Sequence, residues 1–127
     1  MLLQFGGSLL AILALAGLAV LLKLGGQPIL QTEGDVARAA GEVEDGFVPK
    51  RTSIARAGNA ALARDASGRI MIVKQHGSKF AGRILSGESS AKEEVDALIL
   101  DIGEARFGTV RLSLSDASYW ADAINRL

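Results

Sequence analysis

The first 22 residues, MLLQFGGSLLAILALAGLAVLL, constrain the chain more than any other stretch. They contain no charged side chain, and only Gln4 and Ser8 carry polar ones. As a helix the segment would be about 33 Å long, against a bilayer hydrocarbon core of roughly 30 Å. A helix pairs all its backbone groups internally, as lipid requires. Twelve Leu, Ile, Val and Phe side chains favour insertion, by at most roughly 4 to 7 kcal/mol. The sequence therefore predicts a transmembrane helix over 1–24. Two alternatives are a cleaved signal peptide, with Ala14-Leu15-Ala16 or Gly17-Leu18-Ala19 as the small-x-small site, and a buried helix of a soluble core. No basic side chain precedes the apolar run, which argues against the first. Nothing later is large enough to surround such a helix, which argues against the second.

Gly6, Gly7, Ala11, Ala14 and Gly17 share one arc of this helix. Small residues on one face let another membrane helix approach closely. They are the predicted helix-packing residues, with other transmembrane subunits and membrane lipids as partners. Lys23 at the boundary and Arg38 beyond it place the N-terminus outside and the following domain in the cytoplasm, since basic residues near a membrane helix tend to stay cytoplasmic. The expected localisation is the bacterial inner membrane, single-pass, with a periplasmic domain as the alternative.

Lys23-Leu24-Gly25-Gly26-Gln27-Pro28 ends the helix. Residues 25–46 read as a connector, either a short helix with Val36, Ala40 and Val43 near one face or a flexible tether, since Gly34 and Gly41 weaken the helix. Asp45-Gly46 and Pro49 mark entry to a β-rich domain over 47–127. Strands are expected over 52–57, 60–64, 69–75, 79–85, 95–102 and 105–114, separated by turn residues at Gly58-Asn59, Asp65-Ala66-Ser67-Gly68 and His76-Gly77-Ser78. The unbroken run Ile70-Met71-Ile72-Val73 implies a central strand covered on both faces. Ser86 to Ala91 reads as a loop, and 95–114 as a hairpin around Gly103-Glu104. Phe107 falls on the wrong parity of its arm, so Gly108 is a candidate bulge. A C-terminal helix is expected over 115–127, with Ser115 as N-cap and Trp120, Ile124 and Leu127 as its apolar stripe.

The expected fold class is thus an N-terminal transmembrane helix followed by a small mainly-β (α+β) domain. That domain would be an antiparallel barrel or bent sheet of about six strands closed by the C-terminal helix. The order of elements resembles the pleckstrin-homology (PH-like) type of barrel. The stretches IVKQHGSKFAGRIL and LILDIGEARFGTVRLSL resemble small single-pass membrane proteins of alphaproteobacteria. The resemblance covers about residues 46–127 and implies no known activity.

Net charge is zero, yet the charges are segregated. Residues 47–85 carry Lys50, Arg51, Arg56, Arg64, Arg69, Lys74, Lys79 and Arg83 against Asp65 alone. Residues 86–104 carry six acids against Lys92. These blocks either form opposed faces or neutralise one another across neighbouring strands. The eight basic residues are the candidates for contact with an anionic surface.

No catalytic constellation stands out. His76, the only histidine, lies in a turn beside Gly77 and has no evident partner. The acidic residues Glu93, Glu94, Asp96, Asp101 and Glu104 lack the spacing of a calcium loop. With no cysteine there is neither a disulfide nor a thiolate metal site. Two aromatics in the basic segment, Phe47 and Phe80, make no RNA-binding signature. The sequence therefore predicts no enzyme, no cofactor, no metal and no nucleic-acid partner. It favours a membrane-anchored accessory, assembly or stabilising subunit of a respiratory or photosynthetic complex. The runner-up is a PH-like lipid- or ligand-binding module at the membrane surface.

Overall fold

The computed structural model describes residues 29–127, which form a small mainly-β domain in three layers. Helix α1 (Glu33–Val43) comes first. A four-stranded antiparallel meander follows: β1 (Pro49–Ile54), β2 (Ala60–Asp65), β3 (Ile70–His76) and β4 (Lys79–Ile84). A second meander holds β5 (Ser90–Glu94), β6 (Ala97–Asp101) and β7 (Thr109–Leu112), and helix α2 (Ala117–Asn125) closes the chain.

The apolar run in β3 builds the layering. Side chains alternate between faces along a strand. Ile70 and Ile72 therefore enter the main core with Leu62, Leu98, Leu100, Leu112, Trp120 and Ile124. Met71 and Val73 enter a second core with Ala61, Ala63, Leu30, Val36 and Ala40. The small Ala61 and Ala63 leave room for α1 on that outer face. Helix α1 starts from a capping box in which Thr32 and Asp35 bond each other's backbone N–H groups. Of the stretch 25–46, expected as a connector, the described residues from 29 onward thus supply a buried layer of the domain. The helix comes close enough because β4 carries Gly82 beneath it, where an added Cβ would stand 2.6 Å from Val43 Cγ2.

In the second sheet Leu98 faces Leu112 and Leu100 faces Val110, which points all four into the main core. A main-chain bond from Arg56 N–H to Ser113 O at 3.1 Å ties the end of β1 to the segment after β7. Helix α2 lies against β5 and β6 with Trp120 and Ile124 fully buried.

Several expectations are corrected. The expected antiparallel barrel or bent sheet of about six strands is instead seven strands in two sheets of four and three, followed by the expected C-terminal helix. The additional strand is β5, which takes the end of the loop expected over 86–91 and the unassigned residues before the arm expected from Val95. Its sequence SAKEE shows no apolar alternation, and only Ala91 is even half-buried. It holds its place through β6 and through Asn125, whose side-chain amide bonds both the N–H and C=O of Ala91. The hairpin arms are shorter than expected, because residues 102–108 form a loop that swings Phe107 into the main core. Helix α2 begins at Ala117 rather than Ser115, and Asp116 holds the N-cap position without a side-chain capping bond.

The membrane reading is corrected too. No helix among the described residues is long and apolar enough to cross a membrane. Helices α1 and α2 have 11 and 9 residues, about half the length a roughly 30 Å hydrocarbon core requires. The span expected over 1–24 and its packing face of Gly6, Gly7, Ala11, Ala14 and Gly17 lie outside the described residues. The described residues therefore give no support to a single-pass inner-membrane protein.

Candidate anion-binding site

The β3–β4 hairpin pairs Ile72 with Arg83, Lys74 with Ala81, and His76 with Lys79. By strand parity these residues continue the face that Ile70 and Ile72 turn to the main core. The core ends after Ile72, and the same face becomes basic. Phe107, brought over by the 102–108 loop and only 6% exposed, separates the two regions. Around it lies a cavity of about 220 Å³ lined by Lys74, His76, Ala81, Arg83, Arg106 and Phe107.

Each cation is held by a specific contact or left open to solvent. Lys74, half-buried, donates from Nζ to Phe107 O at 2.7 Å and stands 4.3 Å from the Phe107 ring centroid. An ammonium has three donors, so two remain. Arg83 donates from Nε to Glu104 Oε2 at 2.8 Å and from Nη1 to Gly82 O at 2.8 Å. Its guanidinium carbon lies 5.2 Å from the Phe107 ring centroid, within cation–π range. Arg106 and His76 are exposed, and their side chains make no hydrogen bond or ion pair among the described residues. Three basic side chains from three chain segments thus line one cavity, and one of them, Arg83, is paired with the Glu104 carboxylate.

The 102–108 loop is built to bring Arg106 and Phe107 to this cavity and Glu104 to Arg83. Ser89 Oγ donates to Ile102 O at 2.8 Å where the loop begins. Asp101 accepts from Gly103 N–H at 3.0 Å. Gly103 takes φ +89°, and a Cβ on it would meet Glu88 O at 2.8 Å, so glycine is required on both counts. The main-chain bond from Gly108 N–H to Glu104 O closes the loop.

Of the eight basic residues expected to share an anionic contact, the cavity gathers Lys74 and Arg83. Lys79 stands at the hairpin end opposite His76. The others are spent elsewhere or stand apart. Arg51 stacks 3.5 Å above the Tyr119 ring and pairs with Asp116 at 3.5 Å. Arg64 donates to Tyr119 Oη at 2.9 Å. Arg69 binds Asp65 at 2.7 Å and closes the β2–β3 turn. Lys50 is exposed on β1. Arg56 borders a separate cavity of about 270 Å³ beside Ser53, Ser113 and Asp116. The basic block is therefore a set of local contacts with one concentration at the β3–β4 hairpin.

The acidic residues are likewise dispersed. Glu94 pairs with Arg111 at 2.9 Å, Asp101 caps Gly103, Glu104 pairs with Arg83, and Asp96 occupies the β5–β6 turn at φ +52°. Among the described residues no group of three or more His, Cys, Asp or Glu side chains is placed to hold a metal ion.

Sequence reasoning missed Arg106 and the wall formed by its loop. The signal was Phe107, whose wrong parity marked a departure from strand geometry. An arginine beside such an aromatic must follow the loop. No family model, no curated protein and no solved structure matches the chain.

Proposed function

We propose that this domain is a non-catalytic binding module that takes an anionic group into the cavity at the β3–β4 hairpin. One observation carries the reading: Lys74, Arg83 and Arg106 converge on Phe107 with unused donors and only one carboxylate among them. Like charges held together at a partly desolvated site repel, and a bound anion relieves that repulsion. The Phe107 ring lies within cation–π range of Lys74 and Arg83.

The test is a titration of the full chain with phosphate and with citrate, followed by amide NMR. Saturable shifts confined to residues 74–83 and 103–108, and lost in Arg106→Ala, support the reading. Shifts spread evenly over every basic surface residue would overturn it.

We propose, as a second reading, that the domain serves as an accessory subunit of a larger assembly. It is favoured by Val95, which is 90% exposed at the tip of the β5–β6 turn. A photo-crosslinking residue at position 95 would capture the neighbouring subunit in cells. Absence of any position-specific adduct counts against it.

A further inference from the structure

Resting on the anion-binding reading above, we propose that the cavity takes the terminal phosphoryl group of a phosphate monoester and discriminates against phosphodiesters.

Charge is the first ground. Arg83 is paired with Glu104, which lies outside the cavity lining, at an Nε–Oε2 distance of 2.8 Å. Lys74 bonds the neutral Phe107 carbonyl, and the Arg106 side chain makes no ion pair among the described residues. Lys74 and Arg106 thus face the cavity without a counter-charge, and no carboxylate lines it. A phosphate monoester carries about −1.5 to −2 charge at pH 7, which compensates both. A phosphodiester carries a single charge and leaves one of the two cations uncompensated. Glu104 stays on Arg83 in either case, so it does not enter the comparison.

Donor supply is the second ground. Lys74 keeps the two ammonium hydrogens not given to Phe107 O, and Arg106 keeps its whole guanidinium fork. Arg83 keeps Nη2, because Nε and Nη1 are the atoms engaged by Glu104 and Gly82. These donors belong to β3, the 102–108 loop and β4. A monoester presents three strong acceptor oxygens, one for each cation, whereas a second ester bond removes one of them. Guanidinium donors suit such a group because their fixed fork matches two oxygens at once. The tie from Lys74 to Phe107 O holds the ammonium at the cavity before any ligand arrives, which lowers the ordering cost of binding. His76, the remaining polar side chain of the lining, is exposed and brings no negative charge.

The experiment titrates the full chain with methyl phosphate and with dimethyl phosphate at equal ionic strength. It is run near about pH 8, above the second phosphate pKa of about 6. The two probes share a tetrahedral phosphorus and differ by one charge and one terminal oxygen. Methyl phosphate is expected to bind about tenfold more tightly or better, the effect of one charge-assisted hydrogen bond. Arg106→Ala removes one uncompensated cation at an exposed position and should leave the circular dichroism unchanged. It should weaken methyl phosphate more than dimethyl phosphate, so that the preference shrinks.

Equal affinities, or tighter binding of dimethyl phosphate, would overturn the monoester assignment and leave the anion-binding reading standing. A preference that survives Arg106→Ala undiminished would overturn its assignment to this cavity. Failure of both probes to bind would overturn both readings. Phosphatidylcholine vesicles carrying phosphatidate, a monoester headgroup, or phosphatidylglycerol, a diester, identify the source of the group. Retention on phosphatidate alone, reversed by methyl phosphate, supports a lipid headgroup. Methyl phosphate binding with retention on neither supports a soluble monoester. Equal retention on both would overturn the discrimination.

Discussion

The indole N–H of Trp120 donates to Ser53 Oγ at 2.8 Å, which joins the last helix to the first strand across 67 positions. The Ser53 hydroxyl passes its own hydrogen to Asp116, whose carboxylate also accepts from the indole at 3.1 Å. Arg51 completes the group from β1, stacked on Tyr119. Trp120 is fully buried, yet its one polar atom is satisfied, and this is how a large aromatic can sit in a core without an unpaired donor. Trp120→Ala should cost about 3–5 kcal/mol in urea unfolding. Ser53→Ala should cost only about 1 kcal/mol, because Asp116 still receives the indole N–H. Equal losses for the two variants would mean that the hydrogen bond, rather than ring burial, holds α2 in place.

Gly82 sets the distance between α1 and the first sheet. A Cβ there would press on Val43 Cγ2 at 2.6 Å and on Ile72 O at 3.0 Å. Gly82→Ala should therefore destabilise the domain by about 1–3 kcal/mol, the usual range for overpacking. Adding Val43→Ala should recover part of that loss, since only the contact with the Ile72 carbonyl remains. Thermal unfolding of the single and double variants measures the coupling. Strict additivity would show that α1 does not rest on Gly82.

Gly103 ties stability to the site. Alanine there must adopt φ +89° and push against the Glu88 carbonyl, a strain of about 1–3 kcal/mol. The loop would relieve it by shifting Glu104, Arg106 and Phe107. Gly103→Ala is expected to lower both the unfolding midpoint and the affinity for phosphate. A normal phosphate titration in a destabilised variant would separate the loop's fold from the cavity.

Two carboxylates make the domain acid-sensitive. Hydrogen bonds from the Gln31 and Thr32 backbone N–H groups hold Asp35 below its ordinary pKa of 3.8. Burial works to raise the Asp65 carboxyl, but hydrogen bonds from Ser67 and Arg69, together with the Arg69 charge, outweigh it and leave that group lowered as well. A depressed carboxylate contributes stability that is present above its unfolded pKa and lost as pH falls through the folded one. In the wild type, stability should hold above the ordinary carboxylate value of 3.8 and fall below it. Asp65→Asn should be less stable at neutral pH, and the gap should close on acidification. A gap that stays constant from neutral pH to strong acid would exclude this role for Asp65.

The strand-rich class of this domain was legible in its residues because alternation and turn chemistry act locally. Ile70-Met71-Ile72-Val73 reads as a strand covered on both faces from its own four residues, and its two sets of side chains do enter two cores. The turn residues likewise act within a few positions of themselves: Asp65 accepts from the Ser67 and Arg69 N–H groups, and Gly68 N–H donates to Asp65 O. Other features had no local signature. The strand SAKEE carries no apolar alternation and depends on β6 and Asn125. The short helix α1 was legible in Val36, Ala40 and Val43, but its burial was not, because its seat comes from the alanines of β2 and the glycine of β4. The cavity is the furthest from the sequence, since Lys74, Arg83 and Arg106 belong to three segments. The sequence by itself determined the charges, the strand periods and the turns, each set by neighbours along the chain. Only the tertiary structure decided which cations meet, because register and the packing of Phe107 act across the chain and leave no local periodicity.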